Sequence, residues 1–209
     1  MDGKNLSRLC EIGEICYQRA WVYATAGNFS IRSQNKNSFW ITASGLSKGN
    51  LKKKDFLLCE VGSAKILQKA KYQKPSAETS IHNSIYHNLE FANAILHVHT
   101  VAGASLDFGA SREHPIVFAK LPNLEMVKAF GIWEEEPNVQ MAVVHNFTEV
   151  EKIAEHIDSL LKPKSYSLPF VMVQHHGPTV WGKDLEEALK HLEALEFLFQ
   201  SLVQTKGNR

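Results

Sequence analysis

The apolar residues near the start of the chain, Leu6, Leu9, Ile12, Ile15, Cys16 and Ala20, recur at three- and four-residue steps. That spacing predicts one buried face of a helix running from Leu6 to Trp21. Three short β-rich runs follow, Phe29 to Arg32, Phe39 to Thr42 and Phe56 to Cys59, separated by glycine, asparagine and lysine clusters that read as turns. Runs so short and so close predict antiparallel neighbours. After Pro75 the pattern becomes helical through about Leu89, Ala94 to Val98 reads as a buried strand, and Thr100 stands where it can cap another helix. Ile116 to Ala119, Val139 to Val144 and Phe170 to Gln174 predict three more strands, with helices near Asn123 to Phe130 and Thr148 to Leu161. Thr148 and Glu151 have the spacing of a capping box. Asp184 and Glu187 open the last helix in the same way, and Leu185, Ala188, Leu189, Leu192, Leu195 and Leu198 give it one long apolar stripe. No repeat, low-complexity tract or linker interrupts this order.

Composition narrows the picture. A chain of 209 residues with 44% hydrophobic content suits one domain with a large core, taken here as residues 1–209. The formal net charge is +1, from 23 basic and 22 acidic residues, so no global field is available to hold nucleic acid or an anionic membrane surface. Any anion must be bound locally. Cys10, Cys16 and Cys59 are an odd number without CxxC spacing, which fits free thiols in a reducing compartment and predicts a cytoplasmic location. Charges interrupt every apolar stretch of the first residues, so no signal peptide is expected, and no later run approaches a membrane span.

The strongest chemical signal is ILHVHT at residues 95 to 100, an apolar strand ending in two histidines one residue apart. Positions i and i+2 of a strand face the same side, so His97 and His99 can reach one point. Two converging neutral nitrogens suit zinc, and a third protein ligand would leave one tetrahedral position open. An isolated HxH is equally well read as one histidine bonded in the core and one in solvent. A third candidate comes from VQHHGPTVWG, where the strand Phe170 to Gln174 ends in His175 and His176. Consecutive strand residues point oppositely, so at most one of the two joins a site. Gly177 permits close backbone approach or positive φ, which favours His176. His82, His87, His114, His145, His156 and His191 fall at helix or loop positions and read as surface residues.

Three loops have the makings of an anion pocket. AGNFS at 26 to 30 places Gly27 and Asn28 at a strand entrance, ITASGLSKG at 41 to 49 ends a strand in a Ser-Gly loop, and KPSAE at 74 to 78 puts Ser76 where it can cap a helix. Each alone is an ordinary turn or cap.

GNFS, TASG, PSAE, HVH and HHG occur here in the order they take in the class II aldolase/adducin family, and the resemblance runs from about residue 7 to 200. It implies a three-layer α/β/α fold with a central mixed, largely antiparallel sheet, and a homotetramer with sites near subunit boundaries. It also implies one Zn2+ per subunit held by His97, His99 and His176, and a small phosphorylated keto-sugar whose phosphate sits on Asn28, Ser44, Gly45 and Ser76. LEMVKAFGIWEEE at 124 to 136, with KPSAET and HHGPTVWGKDLEEA, resembles the dehydratase branch of the family and puts Glu125 forward as acid/base. Glu78 matches the general base of the family's sugar-phosphate aldolases, so two catalytic carboxylates are candidates. The fuculose-type aldolases use a tyrosine after HxH, and here none occurs between Tyr86 and Tyr166, which argues against aldol cleavage. The alternatives are an aldolase or epimerase acting on another sugar phosphate, and a non-catalytic adducin-like binding protein. Read from the residues alone, Glu125 is a solvated first-turn residue of a helix capped by Asn123.

Overall fold

The computed structural model describes residues 2–71 and 73–207. Its elements run α1 (Asp2–Gln18), β1 (Asn28–Arg32), β2 (Ser38–Thr42), β3 (Phe56–Glu60), β4 (Ile66–Gln68), α2 (Thr79–Asn88), β5 (Ala94–His97) and α3 (Val101–Ser105). β6 (Ile116–Lys120), β7 (Gln140–Val144), α4 (Val150–Leu161), β8 (Phe170–Val173), β9 (Gly177–Gly182) and α5 (Leu185–Gly207) complete the order. The strands form one sheet in the order β4-β3-β2-β1-β5-β9-β8-β7-β6. Every pairing is antiparallel except that of β7 with β8.

Both faces of this sheet are covered, which explains why β8 is apolar at every position and β5 from Ala94 to Leu96. Along β8, Phe170 and Met172 join the core beneath α1 and α5, while Val171 and Val173 join the core beneath α2 and α4. Leu96 and Ile95 of β5 divide in the same way. The helix stripes supply the facing surfaces, with Leu6, Leu9 and Ile12 of α1 and Leu192, Leu195 and Leu198 of α5 on one side, and Ile81, Ile85, Ile153 and Ile157 on the other. At roughly 1.5–3 kcal/mol per fully buried large apolar side chain, these two cores dominate the stability of the layers. The architecture is the α/β/α arrangement with a mixed, largely antiparallel sheet that the resemblance implies.

Some local expectations differ from the structure. β9, a central strand between β5 and β8, lies outside the strands that the pattern predicts, because it begins Gly177-Pro178 and ends at Gly182, residues that read as punctuation. Gly177 is there for close approach: a Cβ on it would lie 1.9 Å from the carbonyl oxygen of Val98. The segment from Asn123 to Phe130 is a six-residue 3-10 helix, Glu125–Phe130, with Leu124 as its N-cap. Asn123 does not cap it, since its amide donates to the carbonyl of Glu135. α4 starts one residue later than a cap at Thr148 would set it, with Glu149 at the N-cap and no side-chain cap bond. Asp184 does act as expected, accepting from the N–H of Glu187 at 2.8 Å, while Glu187 accepts from the N–H of Lys183.

His82 and His191 are buried, against the surface reading. Each is held inside by a partner from another element: His82 bonds to Ser30 and Asn28 of β1, and His191 Nδ1 donates to the Trp181 carbonyl at 2.8 Å. Strand register then places Asn28 beside His97 and His97 beside Thr179, so one end of β1, β5 and β9 gathers the polar residues.

Candidate metal centre

His97 is the last residue of β5, and His99 follows past the strand end with its N–H bonded to the Trp21 carbonyl. His176 stands in the tight turn between β8 and β9, its N–H bonded to the Val173 carbonyl. The three Nε2 atoms converge: His97 to His99 is 2.9 Å, His97 to His176 is 3.3 Å, and His99 to His176 is 2.8 Å. Glu78, immediately before α2, brings Oε1 to 2.9 Å from His176 Nε2 and Oε2 to 3.3 Å from His97 Nε2. Four potential donor atoms therefore lie within 4.8 Å of one another. His175 faces away, held at φ 53° with Nδ1 toward the Ala104 carbonyl.

The donor set fits a metal ion. His97 Nδ1 lies 3.0 Å from the Pro178 carbonyl, which can only accept, so the proton sits on Nδ1 and Nε2 turns its lone pair to the centre. A triangle of nitrogens about 3 Å apart cannot be satisfied by mutual hydrogen bonds alone, and a shared cation relieves it. His176 Nδ1 is buried without a hydrogen-bond partner among the described residues, as an N–H whose ring is fixed through its other nitrogen can be. Burial, reinforced by His97 and His176, pushes the His99 imidazole down to about 3, so the neutral, metal-ligating form prevails. Burial pushes the Glu78 carboxyl up, but His97 and His176 more than reverse this and hold it well below the usual carboxylate range. Glu78 is an ionised carboxylate.

A cavity of about 210 Å³ opens beside Glu78 and His99, lined among others by Asn28, Ser44, Gly45, Lys48 and Ser76. The three sequence loops thus meet. The Ala43–Pro75 bridge and the Ser44 N–H bond to the Lys74 carbonyl pin the second loop to the third. Gly45 serves its φ of +77°, since no atom lies within 4 Å of where a Cβ would be. Lys48 is buried, and its Nζ donates to the Thr25 carbonyl at 2.8 Å and the Leu46 carbonyl at 2.7 Å, tying the first loop to the second. Burial pushes this ammonium down to about 8, against the attraction of Glu78.

Two expected residues have a different setting. Asn28 lines the cavity, but its amide is engaged, with Nδ2 donating to Glu78 Oε2 and Oδ1 facing His82 Nε2 at 2.6 Å. Glu125 belongs to neither the cluster nor the cavity of its own chain. Its side chain is 80% exposed and pairs with Lys128 Nζ at 2.8 Å. A larger cavity of about 690 Å³ lies at the opposite end of β1, β5 and β9 and contains none of the four converging groups. Sequence reasoning missed His82, although Glu78 and His82 stand one helical turn apart, a spacing that places two side chains on one face.

Residues 7–203 match the model of the Class II Aldolase and Adducin N-terminal domain. A methylthioribulose-1-phosphate dehydratase of Leptospira biflexa is 43% identical over 205 residues, covering 96% of this chain and 97% of the relative. One from Microcystis aeruginosa is 43% identical over 188 residues, covering 90% and 89%. Among solved structures, the L-fuculose-1-phosphate aldolase of Thermus thermophilus superposes with a TM-score of 0.71 at 22% identity, covering 96% of this chain and 95% of that one, a likeness of fold. With the match spanning both the sheet and the histidine cluster, the chain belongs to the class II aldolase/adducin family.

Proposed function

We propose that this chain is a lyase that dehydrates 5-methylthioribulose 1-phosphate to 2,3-diketo-5-methylthiopentyl 1-phosphate, a step of methionine salvage. The observation that carries the chemistry is the convergence of His97, His99 and His176 beside a cavity of hydroxyls, amides and one buried lysine. The substrate follows the name shared by relatives 43% identical over nearly the whole chain. The family's other activities share the metal site, so the product decides among them.

One Zn2+ per chain, held by the three histidines, would supply Lewis-acid polarisation of the substrate ketone and its neighbouring oxygen. The chain's own residues do the rest. Ser44, Ser76, Asn28 and the N–H of Gly45 bind the phosphate in the 210 Å³ cavity, with Lys48 as its cation. A carboxylate removes the C3 proton, the C4 hydroxyl leaves as water with a proton from an acid, and the enol tautomerises to the diketone. Glu78, ionised and fixed at the cluster, is one candidate for the proton transfer. We assign the acid/base role to Glu125 acting at the site of a second copy, because it is 80% exposed on its own chain and outside its own cavity. A homotetramer with sites at subunit boundaries meets that requirement. The three unpaired cysteines suit the cytoplasm, and among the described residues no helix is long and apolar enough to cross a membrane.

Glu78 at the cluster favours one competing reading, an aldolase, since the resemblance ties that position to aldol cleavage. Product mass separates the two: dehydration gives a single product lighter by one water, whereas cleavage at C3–C4 gives two fragments. Fragments alone would overturn the dehydratase assignment.

Lys48→Met tests the cavity. Losing a charge-assisted hydrogen bond of about 1.5–3 kcal/mol should raise KM roughly 10- to 100-fold with kcat little changed. In the wild type the protonated ammonium binds the anion, so affinity should be full below about pH 8 and fall as pH rises through it. The variant should lack that alkaline fall. Unchanged KM in steady-state kinetics would remove Lys48 from the site.

A further inference from the structure

Behind the cluster lies a buried hydrogen-bonded chain whose inner members, His82, Ser30 and Tyr86, the dehydration scheme does not use. From Glu78 it passes to Asn28, from Asn28 Oδ1 to His82 Nε2 at 2.6 Å, from His82 Nδ1 to Ser30 Oγ at 2.6 Å, and from Ser30 Oγ to the Tyr86 hydroxyl at 2.8 Å. All four residues behind Glu78 are at most 2% exposed.

The orientation of the Asn28 amide dictates the direction of every bond behind it. Asn28 donates from Nδ2 to Glu78 Oε2, which leaves Oδ1 turned toward His82. Oδ1 can only accept, so the proton of the neutral imidazole sits on His82 Nε2, and Nδ1 accepts from the Ser30 hydroxyl. Ser30 then accepts from Tyr86. Burial pushes the His82 imidazole down to about 3, consistent with a single ring proton. The opposite tautomer would require the flipped amide, setting Oδ1 against the carboxylate, an arrangement of two acceptors without a proton. An amide interrupts proton transfer, so the chain orients groups rather than conducting protons.

We propose that His82 is a positioning residue: with Ser30 and Tyr86 behind it, it locks the Asn28 amide so that Nδ2 holds the Glu78 carboxylate in place at the metal centre. Asn28 thereby serves Glu78 first and the phosphate second. This rests on the metal-dependent reading above, but one of its tests does not depend on which substrate the chain takes.

The test begins on the wild-type, zinc-loaded protein, with nitrogen-15 side-chain NMR of the histidines assigned against His82→Gln. His82 should carry its proton on Nε2 with Nδ1 bare; a proton on Nδ1, or on both nitrogens, overturns the proposal. No substrate is needed, so a chain that acts on another sugar phosphate leaves this result standing, and the kinetic arm then uses that substrate. In that arm His82→Leu should lower kcat roughly 10- to 100-fold with KM changed by less than about threefold. Metal content should stay at the wild-type value, because His82 touches none of the three histidines. His82→Gln, whose Nε2 can still donate to Asn28 Oδ1, should recover most of the lost kcat. A loss of metal, a defect confined to KM, or a glutamine variant as impaired as the leucine one would contradict it.

Discussion

Replacing His99 with alanine is expected to strip the chain of its metal and lower dehydration by roughly 10³-fold or more, the scale of several kcal/mol of Lewis-acid stabilisation. Removing His99 disturbs the fold less than removing His97. It lies past the end of β5, and its backbone N–H bond to the Trp21 carbonyl does not need the side chain. Its Nε2 sits 2.8 Å and 2.9 Å from the other two, so its loss opens one corner of the cluster and leaves two nitrogens and Glu78. His97→Ala is a poorer probe, because His97 also holds the Pro178 carbonyl of β9 and is almost fully buried. Elemental analysis of purified His99→Ala, with a melting curve close to wild type, checks the prediction. Stoichiometric metal in that variant would show that the cluster is not the metal site.

The second large effect concerns Glu125. Glu125→Gln should keep its metal and lose roughly 10²- to 10⁴-fold in turnover, the range of a positioned acid/base. Mixed oligomers made by co-expressing Glu125→Gln with His99→Ala should recover a substantial part of that activity, although each parent is inactive. The reason is spatial. Glu125 pairs only with Lys128 in the described contacts of its own chain and is not part of its own cavity, so the proposed site combines the histidines of one copy with Glu125 of another. In the mixture some sites have an intact cluster from one variant and an intact Glu125 from the other. If Glu125 served its own chain, no mixed site would have both, and recovery would be nil. A fully active Glu125→Gln would instead transfer the role to Glu78.

The features legible in the sequence are those set by local period. The two-residue strand period pointed His97 and His99 to one place, where they do converge although His99 lies past the end of β5, and His176 was legible as the end of a second apolar strand. The layers came from the resemblance to the family, and the run Phe170 to Val173, apolar at every position as a strand covered on both faces is, agrees with it. The features that stayed hidden depend on partners far along the chain. Gly177 and Pro178 look like a turn until β5 and β8 flank them. His82 looks like a surface residue of a helix until Ser30, 52 positions earlier, and Asn28, 54 positions earlier, satisfy its two nitrogens. Glu78 was named only through its match to the family's general base, and only the fold sets its carboxylate against His97 and His176. Glu125 illustrates the reverse: a motif puts the residue forward, and the fold leaves it outside the cluster and cavity of its own chain.

The most direct measurement is the dehydration rate of 5-methylthioribulose 1-phosphate as zinc is returned to chelator-stripped protein. The stripped protein should show no turnover, and the rate should rise linearly to a plateau at one ion per chain, with a single product lighter than the substrate by one water. Full activity in the metal-free protein, or products arising only from carbon–carbon cleavage, would contradict metal-dependent dehydration.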